Sequence, residues 1–310
     1  MNRKLPTLTG LATLLVMMLA GCRPVAMPPA AQSETDNATS SVSSVDALRN
    51  ATFTGILPDQ PVTLVDGTAT YEEEGPGTPF VQLIDTLAAA GDLDGDGIED
   101  AVGLLVDYTV GSADFVYLAA LLSTQGEPMD ALLLGDRTPV KALTVADGQV
   151  IVDFVGPGPS DAACCPTWNV RTVYAVFDGK LVERRSEELS KVALADLDGT
   201  GWRLVDLGGE QPPLLPESEI TLAFNEGQIN GSAGCNSYSG AVSAPEELPQ
   251  SFAVGPLAVT AMLCDEPTAS QEAAYLDRLG KTVTWRYAFG RLAITYKLEG
   301  DVLGELFFAQ

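Results

Sequence analysis

The chain has 310 residues, 46% of them apolar and 19% charged, enough to bury real cores and to build about two domains. Its 17 Lys and Arg stand against 42 Asp and Glu, a formal charge of −25 that repels nucleic acid and anionic lipid as direct partners. There is no histidine, which removes the commonest general base, a common zinc and copper ligand and every Ser–His or Cys–His nucleophile pair, so the composition argues against an enzyme.

At the N-terminus, Arg3 and Lys4 precede an almost wholly apolar run from Leu8 to Leu19. That run is too short for a stable crossing of ~30 Å of hydrocarbon, which takes about 20 residues, and it suits the apolar region of a signal peptide. Leu19-Ala20-Gly21-Cys22 follows and resembles the lipobox of bacterial lipoproteins. The resemblance implies a signal peptide over residues 1–21 and lipidation of the Cys22 thiol, with the mature chain held outside the cytoplasm on the cell membrane or outer membrane. Two acyl chains anchor stably where one is marginal. Residues 22–47 are rich in Pro, Ala, Ser and Thr without an apolar period, which predicts a flexible tether.

The expected fold class is mainly β: two antiparallel meander or barrel-like units over residues 48–190 and 196–310, the second with one α-helix. In the first, Thr63–Val65, Phe80–Ile84, Ala101–Tyr108, Phe115–Leu122, Val150–Val155 and Arg171–Phe177 read as strands. Asp66-Gly67, Asp147-Gly148 and Asp178-Gly179 read as hairpin turns, because such pairs tolerate positive φ. The stretch Ser186–Ala195 reads as the junction. Strands resume at Trp202–Leu207, Glu219–Phe224 and Gln228–Ser232, and the chain closes with Thr282–Tyr287, Leu292–Leu298 and Val302–Phe308. Thr268 and Gln271 have capping-box spacing ahead of Ala273, Ala274, Leu276 and Leu279, and Gly280 is placed to stop that helix.

The sharpest chemical motif is Gly91-Asp92-Leu93-Asp94-Gly95-Asp96-Gly97-Ile98-Glu99-Asp100. Asp92, Asp94 and Asp96 stand at loop positions 1, 3 and 5, the Ile98 carbonyl at 7 and Asp100 at 9, a pattern that wraps oxygens around one hard cation. Ca²⁺, with six to eight oxygens, fits better than Mg²⁺, which retains its waters. Position 12 is Gly103 rather than the bidentate Glu of an EF-hand, and the flanks read as strands. The segment therefore resembles the calcium loops of FG-GAP and integrin-propeller repeats, although one copy implies no propeller. The competing reading is a solvated turn. Asp196-Leu197-Asp198-Gly199 lacks the further carboxylates and reads as a plain turn.

Besides Cys22 the cysteines are Cys164, Cys165, Cys235 and Cys264. Four thiols allow three pairings, of which a Cys235–Cys264 disulfide is preferred, leaving Cys164 and Cys165 adjacent; zinc is the rival, disfavoured by spacing and by export.

From about Asp196 the chain resembles the META domain family. The residues that carry the likeness are Trp202, Gly231-Ser232-Ala233-Gly234-Cys235-Asn236-Ser237-Tyr238-Ser239-Gly240, Phe252, Gly255, and Thr260-Ala261-Met262-Leu263-Cys264. The resemblance implies a compact antiparallel meander with one helix and an association with envelope stress, and brings no catalytic residues. The expected function is thus a non-enzymatic, lipid-anchored envelope protein with a structural calcium site. Its expected partners are the membrane, through its lipid, and an envelope protein or small hydrophobic ligand. The alternative is an extracytoplasmic metal-dependent hydrolase using Asp92–Asp100.

Overall fold

Five two-residue turns set the hairpins. Asp66-Gly67, Asp147-Gly148, Asp178-Gly179, Glu226-Gly227 and Phe289-Gly290 each place the first residue at φ 48–52° and the glycine at φ 70–85°, the left-handed pair whose twist matches that of the flanking strands. The computed structural model describes residues 44–70, 78–108, 114–123, 129–159, 161–162, 165–208, 213–245 and 248–310. The predicted signal peptide, Cys22, most of the predicted tether and Cys164 lie outside the described residues. The predicted tether ends early: Ser44–Leu48 is a short helix, and Leu48 is fully buried.

The first half is layered. Thr68–Thr70, Phe80–Gly91, Asp100–Tyr108, Asp114–Leu121 and Leu132–Asp136 form a five-stranded antiparallel sheet in that order. One face packs on the four-stranded meander Val140–Ala146, Gln149–Gly156, Trp168–Phe177 and Lys180–Lys191, sharing Val102, Leu104, Val116, Leu118, Val140, Val150 and Val152. Its other face is covered by the first helix and a small sheet, Val62–Thr63, Thr52–Thr54 and Met129–Asp130, through Leu48, Phe53, Leu64 and Leu105. The last pairing of that small sheet is parallel. Burial from both sides explains why Ala101–Val106 reads as an unbroken apolar run.

The predicted junction at Ser186–Ala195 is mostly strand. Lys180–Lys191 is an edge strand exposed at nearly every position, and its Glu-, Arg- and Ser-rich sequence keeps that edge from pairing with other chains. The passage to the second half is left to Val192–Ala193 and the 3₁₀ turn Leu194–Leu197.

The second half is one curved antiparallel sheet. Its path runs Ala253–Val254, Ser237–Ser243, Gln228–Ser232, Thr221–Asn225, Gly201–Asp206, Leu303–Ala309, Arg291–Lys297, Thr282–Ala288, with Ala258–Val259 beside Ser237–Ser243. It is not a closed barrel; a single isolated bridge, Ser251 to Thr284, joins the two ends of the path. The helix Glu266–Leu279 packs its Gln271, Tyr275, Arg278 and Leu279 face into the core. It starts before the predicted capping box: Asp265 is the N-cap, with Pro267 in the first turn. Gln271 is turned away from a capping role, bonding Leu215 N–H and the Ser218 hydroxyl. Ala273 is exposed, and Tyr275 fills the face instead. Gly280 does stop the helix.

Residues Val42–Gln310 form one compact unit in which the halves exchange side chains. Val155 and Val192 belong to the core of the second half, while Phe289 packs on the core of the first. The Gly290 N–H also donates to the Val140 carbonyl at 2.9 Å. Alongside, Lys141 Nζ donates to Asn169 (2.9 Å) and lies 4.8 Å from the Tyr287 ring centroid, and Asn169 donates to Asp196 (2.7 Å). Burial lowers the Lys141 pKa and raises that of Tyr287 to about 12. A bulky residue at positive φ is disfavoured by ~1–2 kcal/mol, a cost that the burial of the Phe289 ring offsets. Phe289→Ala is expected to destabilise the protein by about 2 kcal/mol, and Phe289→Gly by roughly 1 kcal/mol less because glycine accepts the turn. Urea titrations of both variants measure the difference.

Candidate functional site

The aspartate loop joins Phe80–Gly91 to Asp100–Tyr108, whose ends pair at Gly91 and Asp100. Strands on both sides therefore present it as a hairpin tip, as the sequence implies. Gly95 and Gly97, both at φ 84°, wind the chain around its own carboxylates. Asp92 accepts the N–H of Gly95 (2.7 Å) and of Gly97 (3.0 Å), Asp94 that of Asp96 (3.1 Å), and Asp96 that of Ile98 (2.7 Å). Asp100 is 1% exposed and ties the loop base down, accepting Leu93 N–H (2.8 Å) on one oxygen and Ser123 N–H (2.8 Å) on the other.

Carboxylate oxygens of Asp92, Asp94 and Asp100 lie within 4.8 Å of one another. Desolvation, then the charges of Asp96, Asp100 and Asp92, raise the Asp94 pKa above its ordinary value. Asp96 is not gathered with the other three, and Ile98 is exposed at the tip. The donor set is hard oxygen, preorganised by backbone N–H groups, and so fits a hard cation. Ser123, which the sequence does not flag, fixes the deepest carboxylate from the next hairpin.

The second constellation is the turn around Cys235. Cys235 and Cys264 form a disulfide, with Cα atoms 6.3 Å apart, so their thiols are not free for zinc. Cys165 is also disulfide-bonded. Buried Asn236 is the hub of the turn. Its carbonyl oxygen accepts the Thr260 hydroxyl (2.9 Å) and Met262 N–H (2.7 Å), while its amide donates to Glu272 (2.8 Å). Glu272 reaches from the helix and also accepts the N–H of Asn236 (2.6 Å) and Cys235 (3.3 Å). Glu272 is the residue of this turn that sequence reasoning missed; the signal for it was a carboxylate in the early helix opposite a glycine-rich turn.

Deeper in, the Tyr238 hydroxyl shares a 2.7 Å hydrogen bond with Tyr275 and donates to the Thr221 carbonyl at 2.8 Å. Burial raises both tyrosine pKa values. Gly231 is required here: a Cβ would stand 2.0 Å from the Thr221 oxygen.

A model described as the META domain matches residues 195–304, so the second half carries a META domain, as its Gly-Cys-Asn and Thr-x-Met-x-Cys segments imply. No curated protein matches the chain. A solved structure, described as the NMR structure of the protein from Burkholderia xenovorans, is 23% identical with a TM-score of 0.30, covering 40% of this chain and 94% of its own.

Removing the carboxylate that organises the Asn236 turn leaves buried donors unmatched. Glu272→Gln should cost about 1–3 kcal/mol, and Asn236→Asp more, since it sets a second carboxylate against Glu272. Chemical denaturation with the disulfide intact measures both; reduction of Cys235–Cys264 should remove roughly 2–4 kcal/mol by itself.

Proposed function

We propose that this is a non-enzymatic envelope lipoprotein, anchored through Cys22, whose META domain serves partner binding or stress tolerance and whose aspartate loop holds a structural Ca²⁺. The observation that carries the anchor is Leu19-Ala20-Gly21-Cys22 directly after an apolar run of signal-peptide length. Support for a non-catalytic META domain comes from its motif. Asn236, Glu272, Tyr238 and Thr260 are engaged with one another and with backbone, so the polar groups of the motif are occupied in holding the fold.

For the loop, Asp92, Asp94 and Asp100 would be the first ligands, with Asp96 and the Ile98 carbonyl completing the shell. An ion there would neutralise carboxylates that otherwise repel and would stiffen the hairpin. Neither of the two best-formed clefts among the described residues is lined by a residue of this loop, which favours a structural ion over the hydrolase alternative.

Cys22→Ser should abolish labelling by radioactive palmitate and release the protein from sedimented membranes; retention of both lipid and membrane association would refute the anchor. For the ion, the protein should melt higher in millimolar Ca²⁺ than in chelator. Asp94 has a raised pKa in the fold, so its contribution in the ion-free protein is favourable at acid pH and is lost as pH rises through that pKa. The difference in melting temperature between Ca²⁺ and chelator should therefore widen from pH 4 to pH 7, and Asp94→Asn should narrow it at neutral pH. Identical melts in both media would remove calcium from the reading.

A further inference from the structure

A large cleft lies between the two halves, and no residue of the aspartate loop or of the Cys235 turn lines it. It encloses about 1140 Å³, just above the roughly 300–1,000 Å³ usual for small-molecule sites, which favour interfaces of this kind. Half-buried or buried aromatic residues from both halves line it: Tyr108, Phe154, Tyr287, Phe289 and Phe307.

The charges around it are arranged unevenly. Arg137 is held by Asp136 through Nε (3.1 Å) and Nη2 (2.7 Å), and Arg286 by Glu305 in the same forked manner (3.1 and 2.8 Å). Asp85 pairs with Arg49, and Asp114 lies near Arg137 and Tyr108. Arg291 also lines the cleft, close enough to Tyr108 for its charge to act on the phenol, and is exposed. Among the described residues it forms no ion pair. In a chain of charge −25, an unspent guanidinium beside an aromatic wall is a selective feature, because an anion meets repulsion over most of the remaining surface.

We propose that this interdomain cleft binds a small amphipathic anion, its aromatic or aliphatic body against Tyr108, Phe154 and Phe307 and its carboxylate or sulfonate on Arg291. The site goes beyond the anchor and the calcium loop and depends on neither. Its two walls are held at fixed separation by the exchange of Val155 and Phe289, so the cleft is preformed and little ordering entropy is lost on binding.

Two fluorescent probes of similar shape separate charge from apolarity: anilinonaphthalene sulfonate and uncharged N-phenylnaphthylamine, titrated into the purified full-length protein. Thr138→Trp, which fills the cleft from its lining, defines the signal from any other apolar surface, including the exposed strip at Val259, Met262 and Leu263. After subtraction, the sulfonate should bind with one site per chain, and its affinity should fall as salt rises. Arg291→Gln should weaken the sulfonate about tenfold, as expected for loss of a charge-assisted contact, and leave the neutral probe unchanged. The proposal is overturned if Thr138→Trp leaves sulfonate binding untouched, or if Arg291→Gln binds both probes as the parent does. Circular dichroism and melting of both variants establish that either result comes from a folded protein.

Discussion

The exchange of side chains between the halves is the constraint on which the remaining geometry rests. Val155 leaves a strand of the first half to enter the core of the second, and Phe289 makes the opposite journey at the tip of a hairpin. Each half thus completes the other's apolar packing, and a rotation between them would open a void on both sides at once. Close-packed interiors resist such voids. The Gly290–Val140 hydrogen bond and the Lys141–Asn169–Asp196 chain then fix the register. These polar contacts are part-buried and sit beside the apolar exchange, so they hold the halves more firmly than fully exposed pairs would.

Within the META segment, which has its own large apolar core, the turn around Cys235 is held by hydrogen bonds. A turn containing Gly234, Cys235 and Asn236 exposes N–H groups that no strand partner satisfies. Glu272 gathers two of them from the helix, and Asn236 redistributes the remaining valence to Thr260 and Met262. The disulfide lies at the same place, joining the ends of this network covalently. Polar hub and covalent bridge thereby join the same two segments, with the hub also reaching the helix through Glu272, which explains why Gly-Cys-Asn and Thr-x-Met-x-Cys belong together in one motif.

Much of this was legible in the sequence where a residue type has one dominant local use. The Asp-Gly turns declare positive φ, the strand Ala101–Tyr108 declares its apolar run, and Cys235–Cys264 is the preferred pairing of four thiols. Failure came where the signal is tertiary. Ser186–Lys191 reads as part of a junction because the edge strand Lys180–Lys191 buries only one residue in twelve, Leu181. The helix start was misplaced because Gln271 has cap spacing yet serves Leu215 and Ser218, partners more than fifty positions away. At the loop, Asp92, Asp94 and Asp100 converge as their spacing implies, but Ser123 comes from the following hairpin and no local pattern points to it. Phe289 is the subtlest omission: a phenylalanine in a two-residue turn reads as a tolerated oddity until the second half is seen to require it.

The charge excess has its own structural logic. The seven ion pairs of the described residues all have both partners at least 26% exposed, and pairs of that kind contribute about 0–1 kcal/mol each. They relieve repulsion locally without compensating 42 carboxylates by 17 cations. Where carboxylates must crowd, as at Asp92, Asp94 and Asp100, a lysine or arginine would have to thread a long side chain into a loop already filled by backbone N–H groups, whereas a divalent ion needs only the space between three oxygens. Scarcity also changes the meaning of each arginine. Half of the lysines and arginines among the described residues are committed to a neighbouring carboxylate, and one left uncommitted beside aromatic rings marks a place where an incoming anion would be tolerated by this surface.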